Sequence, residues 1–177
     1  MKKKTLVLLI IGVVVIAGAG IAVRFATRKG AEKIAENIIE KSTNGQVDVD
    51  YGSNTVTINT NSGSYSAGEN VSLPNGFPSD IYVIEGDLKA AVSSGDDGYN
   101  LTIETSKTPA EASAIYDREL RADGWTISGT ANYSGVYSIA AQKGNRYLSA
   151  GFTTSEGKNA AVITVYRQTD IPTPPTQ

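Results

Sequence analysis

The chain has 177 residues, with 16 Lys and Arg against 18 Asp and Glu, and contains neither Cys nor His. That length fits one modest domain with accessories, and the missing residue types exclude disulfides, thiolate nucleophiles, Cys and His zinc sites and every His-based general base or triad. Charge is unevenly placed: residues 1–44 hold eight basic and three acidic side chains, a net +5, whereas the remainder holds eight and fifteen, a net −7. An acidic outer part repels phosphate backbones, so no nucleic-acid partner is expected.

A four-residue tail, 1–4, precedes "TLVLLIIGVVVIAGAGIAV", residues 5–23, which carries no charge. At ~1.5 Å per residue this stretch makes roughly 28 Å of helix, enough for the ~30 Å hydrocarbon core. It reads as a transmembrane anchor that places the chain in the cell membrane as a single-pass protein. A cleavable signal peptide ending at Ala17-Gly18-Ala19 is the competing reading. The apolar run continues through Ile21, Ala22 and Val23 to Arg24, which favours the anchor. The three lysines before the span and Arg24, Arg28, Lys29 and Lys33 after it nearly balance. The short tail and signal-like start favour an N-terminus inside and an extracytoplasmic C-terminal domain.

Residues 24–43 continue as a juxtamembrane amphipathic helix. In "AEKIAENIIEK" the residues Ile34, Ala35, Ile38 and Ile39 recur at helical spacing, with Glu32, Lys33, Glu36, Asn37, Glu40 and Lys41 elsewhere. Such a narrow stripe packs on the following domain or on a copy of itself. An anchor, a helix and a β-domain in this order resemble the type IV pilin plan, but residues 5–23 lack the Glu that pilin-like proteins carry early in the apolar helix.

Residues 46–70 read as a small β-meander. Val47, Val49 and Tyr51 alternate with Asp48 and Asp50, and Val56 and Ile58 alternate with Thr55, Thr57 and Asn59, with turns at Gly52-Ser53-Asn54 and Asn61-Ser62-Gly63. So small a sheet must lean on the stalk helix or on the next domain. Asp48 and Asp50 faintly suggest a calcium loop, but without a downstream bidentate Glu they read as a solvated strand face.

A domain over residues 71–167 follows. It opens on "LPNGFPSDIYVIEGD", where Pro74 and Pro78 remove backbone donors and favour extended linker geometry. Phe77 is expected to plug the core and 81–84 to form a first short strand. "LKAAVSS" and "YNLTIET" form a hairpin around Gly95-Asp96-Asp97-Gly98, with Leu101 and Ile103 inward. "TPAEASAIYDRELRADG" predicts a helix with Thr108 as N-cap, Pro109 at its first position, Glu111 completing a capping box and Gly124 as its stop. Its buried stripe is Ala112, Ile115, Tyr116 and Leu120. Three or four strands follow, over 125–129, 136–142, 147–153 and 160–166, for a β-β-α-β-β-β order, and residues 168–177, "QTDIPTPPTQ", form a Pro-rich disordered tail. The predicted fold class is α+β: a two-layer domain of antiparallel sheet with one packed helix.

With these residues in place, "LPNGFPSDI", the "TPAEASAIYDREL" helix and the Gly-Trp pair that opens the next strand resemble a group of uncharacterised prokaryotic single-pass membrane proteins with a small extracytoplasmic α+β domain. The resemblance covers residues 38–166. It implies an envelope location and carries no activity or functional residue with it.

No catalytic residue, cofactor site or metal site is predicted, and the chain reads as non-enzymatic. The weak binding-surface candidates are Tyr133, Tyr137 and Tyr147 with Arg146, an aromatic group around the later strands. The expected function is that of a membrane-anchored structural or protein-interaction module. Its partners are the lipid bilayer through residues 5–23 and an envelope protein of unknown identity. The alternatives are a small-molecule or lipid binder using the groove between the helix and the sheet, or a pilin-like assembly subunit.

Overall fold

Short runs of β-branched and aromatic residues separated by Gly, Asn and Ser turns fold into successive hairpins in the computed structural model, which describes residues 47–52, 54–95 and 98–167. The expected anchor at 5–23, the amphipathic helix at 24–43 and the tail at 168–177 lie outside the described residues. The strands are β1 (Val47–Tyr51), β2 (Thr55–Thr60), β3 (Gly63–Gly68), β4 (Asp87–Ser94) and β5 (Gly98–Thr105). After helix α1 (Pro109–Ala122) come β6 (Thr126–Tyr133), β7 (Val136–Lys143), β8 (Arg146–Ser155) and β9 (Lys158–Arg167).

All nine strands join one antiparallel sheet in the order β1-β2-β3-β4-β5-β9-β8-β7-β6. The residues expected to form a meander are thus paired edge to edge with those of the following segment, with Tyr65 opposite Val92 and Ala67 opposite Ala90. Tight turns set the register. Between β8 and β9, Glu156 and Gly157 both take positive φ, as a two-residue hairpin loop with the right twist requires.

Helix α1 begins where its capping chemistry says it should. The Thr108 hydroxyl accepts from the Glu111 N–H and the Glu111 carboxylate accepts from the Thr108 N–H at 2.9 Å, so two otherwise orphaned donors are satisfied reciprocally. Hydrogen bonding to Thr108 holds the Glu111 carboxyl below its ordinary value. Ala112, Tyr116 and Leu120, spaced four apart, lie on one face and are buried, while Ile115 is half-buried. They pack on β6 to β9, where Ile139, Leu148, Phe152 and Ile163 are closed from solvent. Burying each Leu- or Phe-sized side chain contributes about 1.5–3 kcal/mol, which is what holds the helix to the sheet.

The expected strand at 81–84 is absent. These residues form part of an irregular crossing from β3 to β4, and Ile81 and Ile84 are both buried in the one core, whereas the alternation of a strand would turn positions three apart to opposite faces. The physical reason lies in where the crossing spends its backbone groups. The Trp125 indole N–H donates to the Asp80 carbonyl at 2.9 Å, the Ile81 N–H donates to the Pro78 carbonyl, and the Thr105 hydroxyl donates to the Glu85 carbonyl at 2.7 Å. Side chains and a local turn thus hold the backbone at both ends of the stretch in an irregular path. Phe77 packs against the core and meets Tyr99 edge to face at 5.3 Å, and the Tyr99 hydroxyl donates to the Gly76 carbonyl.

Candidate interaction surface

Because pairing partners across a sheet point to the same side, the register assigns every strand residue to a face. Over β4 to β9 the apolar residues face α1: Leu101, Ile163, Ala150 and Ala141 belong to the buried core. Over β1 to β3 the polarity is reversed. Thr57 opposes Ser66, which opposes Ala91 of the core side, whereas Ile58 opposes Tyr65, which opposes Val92 of the other side. The sheet is therefore amphipathic twice, in opposite senses, and the inversion falls between β3 and β4.

On the helix side this leaves hydroxyls and amides beyond the reach of α1. Ser64 and Ser93 share a hydrogen bond of 2.9 Å, and Thr57 and Ser66 one of 3.1 Å. Thr57, Ser64 and Ser66, with Thr55, Asn59 and the crossing at Val71 to Pro74, bound a cleft of about 240 Å³. The groove between α1 and the sheet, in contrast, is filled by Tyr116, Leu120 and Phe152, each fully buried.

The opposite face, turned away from α1, carries two continuous rows across all nine strands. One row runs Ala131, Ser138, Gly151, Val162, Thr102, Ala90, Ala67, Val56, Tyr51. The next runs Gly129, Ala140, Ser149, Thr164, Asn100, Val92, Tyr65, Ile58, Val49. Neither row contains a charged residue. Small side chains prevail toward β6 to β8 and larger apolar ones toward β1 to β4. Four of the five large hydrophobic side chains that are exposed among the described residues, Tyr133, Val136, Val162 and Tyr166, lie on this face; the fifth, Leu73, is in the crossing.

The four sequence-derived candidates do not converge. Tyr133, 82 % exposed, and Tyr147 lie on the outer face. They are separated along β7 by the distance from Val136 to Gln142, roughly 20 Å at ~3.3 Å per residue. Tyr147 stacks on its cross-strand partner Tyr166 at 5.6 Å. Tyr137 opposes Phe152 on the helix side and packs against the core. Arg146 is also on the helix side, where its guanidinium donates to Asp80 and lies 5.2 Å from the Trp125 ring centre.

That last contact belongs to a polar clamp on which sequence reasoning was silent. The Asp80 carboxylate accepts from both Arg146 terminal nitrogens and, at 2.7 Å, from the Lys143 ammonium, which also donates to the Asp123 carbonyl just past α1. Hydrogen bonding from Arg146 first, then from Lys143, holds the Asp80 carboxyl far below the usual carboxylate range against the opposing effect of burial. The clamp ties the β3–β4 crossing to the β7–β8 hairpin and the helix end, a positioning role. Asp80 lies 63 and 66 residues from its partners, so no local spacing signals it. Among the described residues no group of His, Cys, Asp and Glu could hold a metal ion.

The family described as START domain-like matches residues 87–167. That span opens on the first residue of β4 and closes on the last of β9, so it takes in α1 and the core and leaves out β1 to β3. The grouping with single-pass membrane proteins rests on the sequence resemblance alone. No curated protein and no solved structure matches the chain.

Proposed function

We propose that the protein is a membrane-anchored, extracytoplasmic module that acts by protein contact and not by catalysis, its working surface being the outer sheet face over β6 to β9. The supporting observation is the pair of rows without a single charge, on a face that no described helix covers. A surface of Ala, Gly, Ser, Thr and Val suits a partner that presents a sheet of similar composition, since two sheets pack face to face at ~10 Å and leave no room for unpaired charge. The residues 5–23 supply the tether in the bilayer.

A photo-crosslinking side chain in place of Val162, in the full chain in its own cells, tests the surface. The expected result is a discrete protein adduct from Val162 and none from Arg118 on the solvent side of α1; adducts from both positions or from neither would overturn the reading. Tether and side are tested separately by Ser155→Cys in the Cys-free chain with a membrane-impermeant maleimide. Labelling of intact cells at full mass is expected, and protection until lysis would place the domain on the other side.

A second reading, binding of a small polar molecule, draws support from the hydroxyl-lined cleft of about 240 Å³. The filled interior beneath α1 counts against the version of this reading that uses the helix–sheet groove.

A further inference from the structure

On an open sheet face, an edge strand is expected to be more exposed than a central one, because it has a neighbour on one side only. Here the order is reversed. Within the two uncharged rows, Val49 on edge strand β1 is 2 % exposed and Ile58 beside it 7 %, whereas Val162 on central strand β9 is 39 % exposed. Neither Val49 nor Ile58 belongs to the core beneath α1, and the register turns both away from it. Helix α1 packs on β6 to β9 and the β3–β4 crossing lies along the helix side, where Phe77, Ile81 and Ile84 join the core. Among the described residues, then, no element accounts for the burial at this end of the outer face.

We propose that residues 31–41, immediately ahead of the domain, dock on the outer face of β1 to β4 through Ile34, Ala35, Ile38 and Ile39. The dimensions agree: eleven residues of helix span about 16 Å, and four adjacent strands span about 14 Å. The five residues between this segment and β1, "STNGQ", reach about 17 Å when extended, enough to carry the chain from the edge of the sheet back across its face. Charge agrees as well. The surface to be covered holds Val49, Tyr51, Val56, Ile58, Tyr65 and Val92, and Glu32, Lys33, Glu36, Glu40 and Lys41 all fall outside the apolar stripe, so docking would leave no charge buried without a partner. Two apolar stripes of opposite origin would thereby cover each other. The inversion of polarity at β3 and β4 then has a purpose, since it turns the first three strands toward the segment that precedes them. The proposal rests on these exposures and not on the reading of β6 to β9 as a partner surface.

The test uses the full chain in detergent, whose Cys-free background makes introduced pairs unambiguous. Ile38→Cys with Ile58→Cys, mildly oxidised, is expected to give an intrachain disulfide, while Ile38→Cys with Val162→Cys gives none. A disulfide to Val162→Cys would overturn the placement. A disulfide between differently tagged copies would overturn the occupant in favour of a second chain, and absence of the Ile38–Ile58 bond would overturn the proposal outright. Ile58→Cys alone guards against a misfolded pair. Its maleimide reaction is expected to be about tenfold slower than that of Val162→Cys and to lose that protection when Ile38→Asp is added; equal rates, or protection that survives Ile38→Asp, would defeat the assignment.

Discussion

Arg146 and Asp80 stand 66 residues apart and hold each other through both terminal guanidinium nitrogens, with the guanidinium lying over the ring of Trp125. The pair joins a crossing without regular structure to the most regular part of the sheet. It explains why the proline-broken stretch after β3 has one path: its carboxylate is fixed by two cations, and the carbonyl of the same residue is fixed by the Trp125 indole.

Asp80→Asn should lower stability at neutral pH by about 1–2 kcal/mol, a range reduced because the partners are a fifth to a third exposed. The pH dependence has a definite sign. A carboxyl held below its free value contributes stability above the unfolded pKa of ~3.9, and that contribution is lost as pH falls toward the folded value. Urea midpoints of the wild type and variant should differ most near neutral pH and draw together below about pH 3. A gap of constant size would count against the clamp.

Tyr116→Phe should be neutral or stabilising by up to about 1 kcal/mol, because the Tyr116 hydroxyl is buried with no hydrogen-bond partner among the described residues. Burial, with the nearby Tyr82, drives its ionisation far above the ordinary phenol value, so no titration of this group is expected at any pH the fold tolerates. Tyr116→Ala is the contrast, at a cost of about 3–5 kcal/mol for the cavity left beside Phe152. Chemical denaturation of the three proteins decides it: a Phe variant clearly weaker than the wild type would mean that the hydroxyl has a partner after all.

Thr108→Ala should cost about 1 kcal/mol by removing one half of the capping box, and Thr108→Ser should restore most of it. Hydrogen exchange would localise the loss to the first turn of α1. Equal protection in all three would show that packing alone sets the helix start.

Gly63→Ala should weaken the joint between the first three strands and the rest. Gly63 has φ of +152°, and a Cβ there would collide with the Ser93 backbone carbonyl. Gly129 on β6 has open space where its Cβ would go, so Gly129→Ala should stay within about 0.5 kcal/mol of the wild type. Faster exchange confined to β1 to β3 is the expected signature of the first variant, and identical exchange in the two would refute the collision argument.

How legible this arrangement was depends on the range over which each residue acts. Thr108, Pro109, Glu111 and Gly124 speak about their own backbone, and the helix limits followed from them. Gly144 and the Glu156-Gly157 pair, all at positive φ, likewise act on their own backbone to close the last hairpins. Alternation over Val47, Val49 and Tyr51 announced a strand with one apolar side, but period two is blind to which side of a larger sheet that is. The reversal between β3 and β4 therefore had no sequence signal. Ile81 to Ile84 read as a strand from β-branched and aromatic composition, and the joint burial of Ile81 and Ile84, three apart, with the side-chain bonds made by Trp125 and Thr105, shows that no ladder runs there. The four proposed surface residues share a stretch of sequence but divide between two faces, a separation that register decides and composition cannot.

The order of the strands also governs how the molecule answers to tension. A pull transmitted through the chain ahead of Val47 enters at the outermost strand and is resisted by one neighbour, so β1 can be peeled from β2 one bonded pair after another. A pull through Arg167 arrives at β9, flanked on both sides by β5 and β8, and must shear two ladders together. The sheet is thus compliant at its β1 end and stiff in its interior, and a load that reaches Val47 would be absorbed by the first hairpin before it reached the core beneath α1.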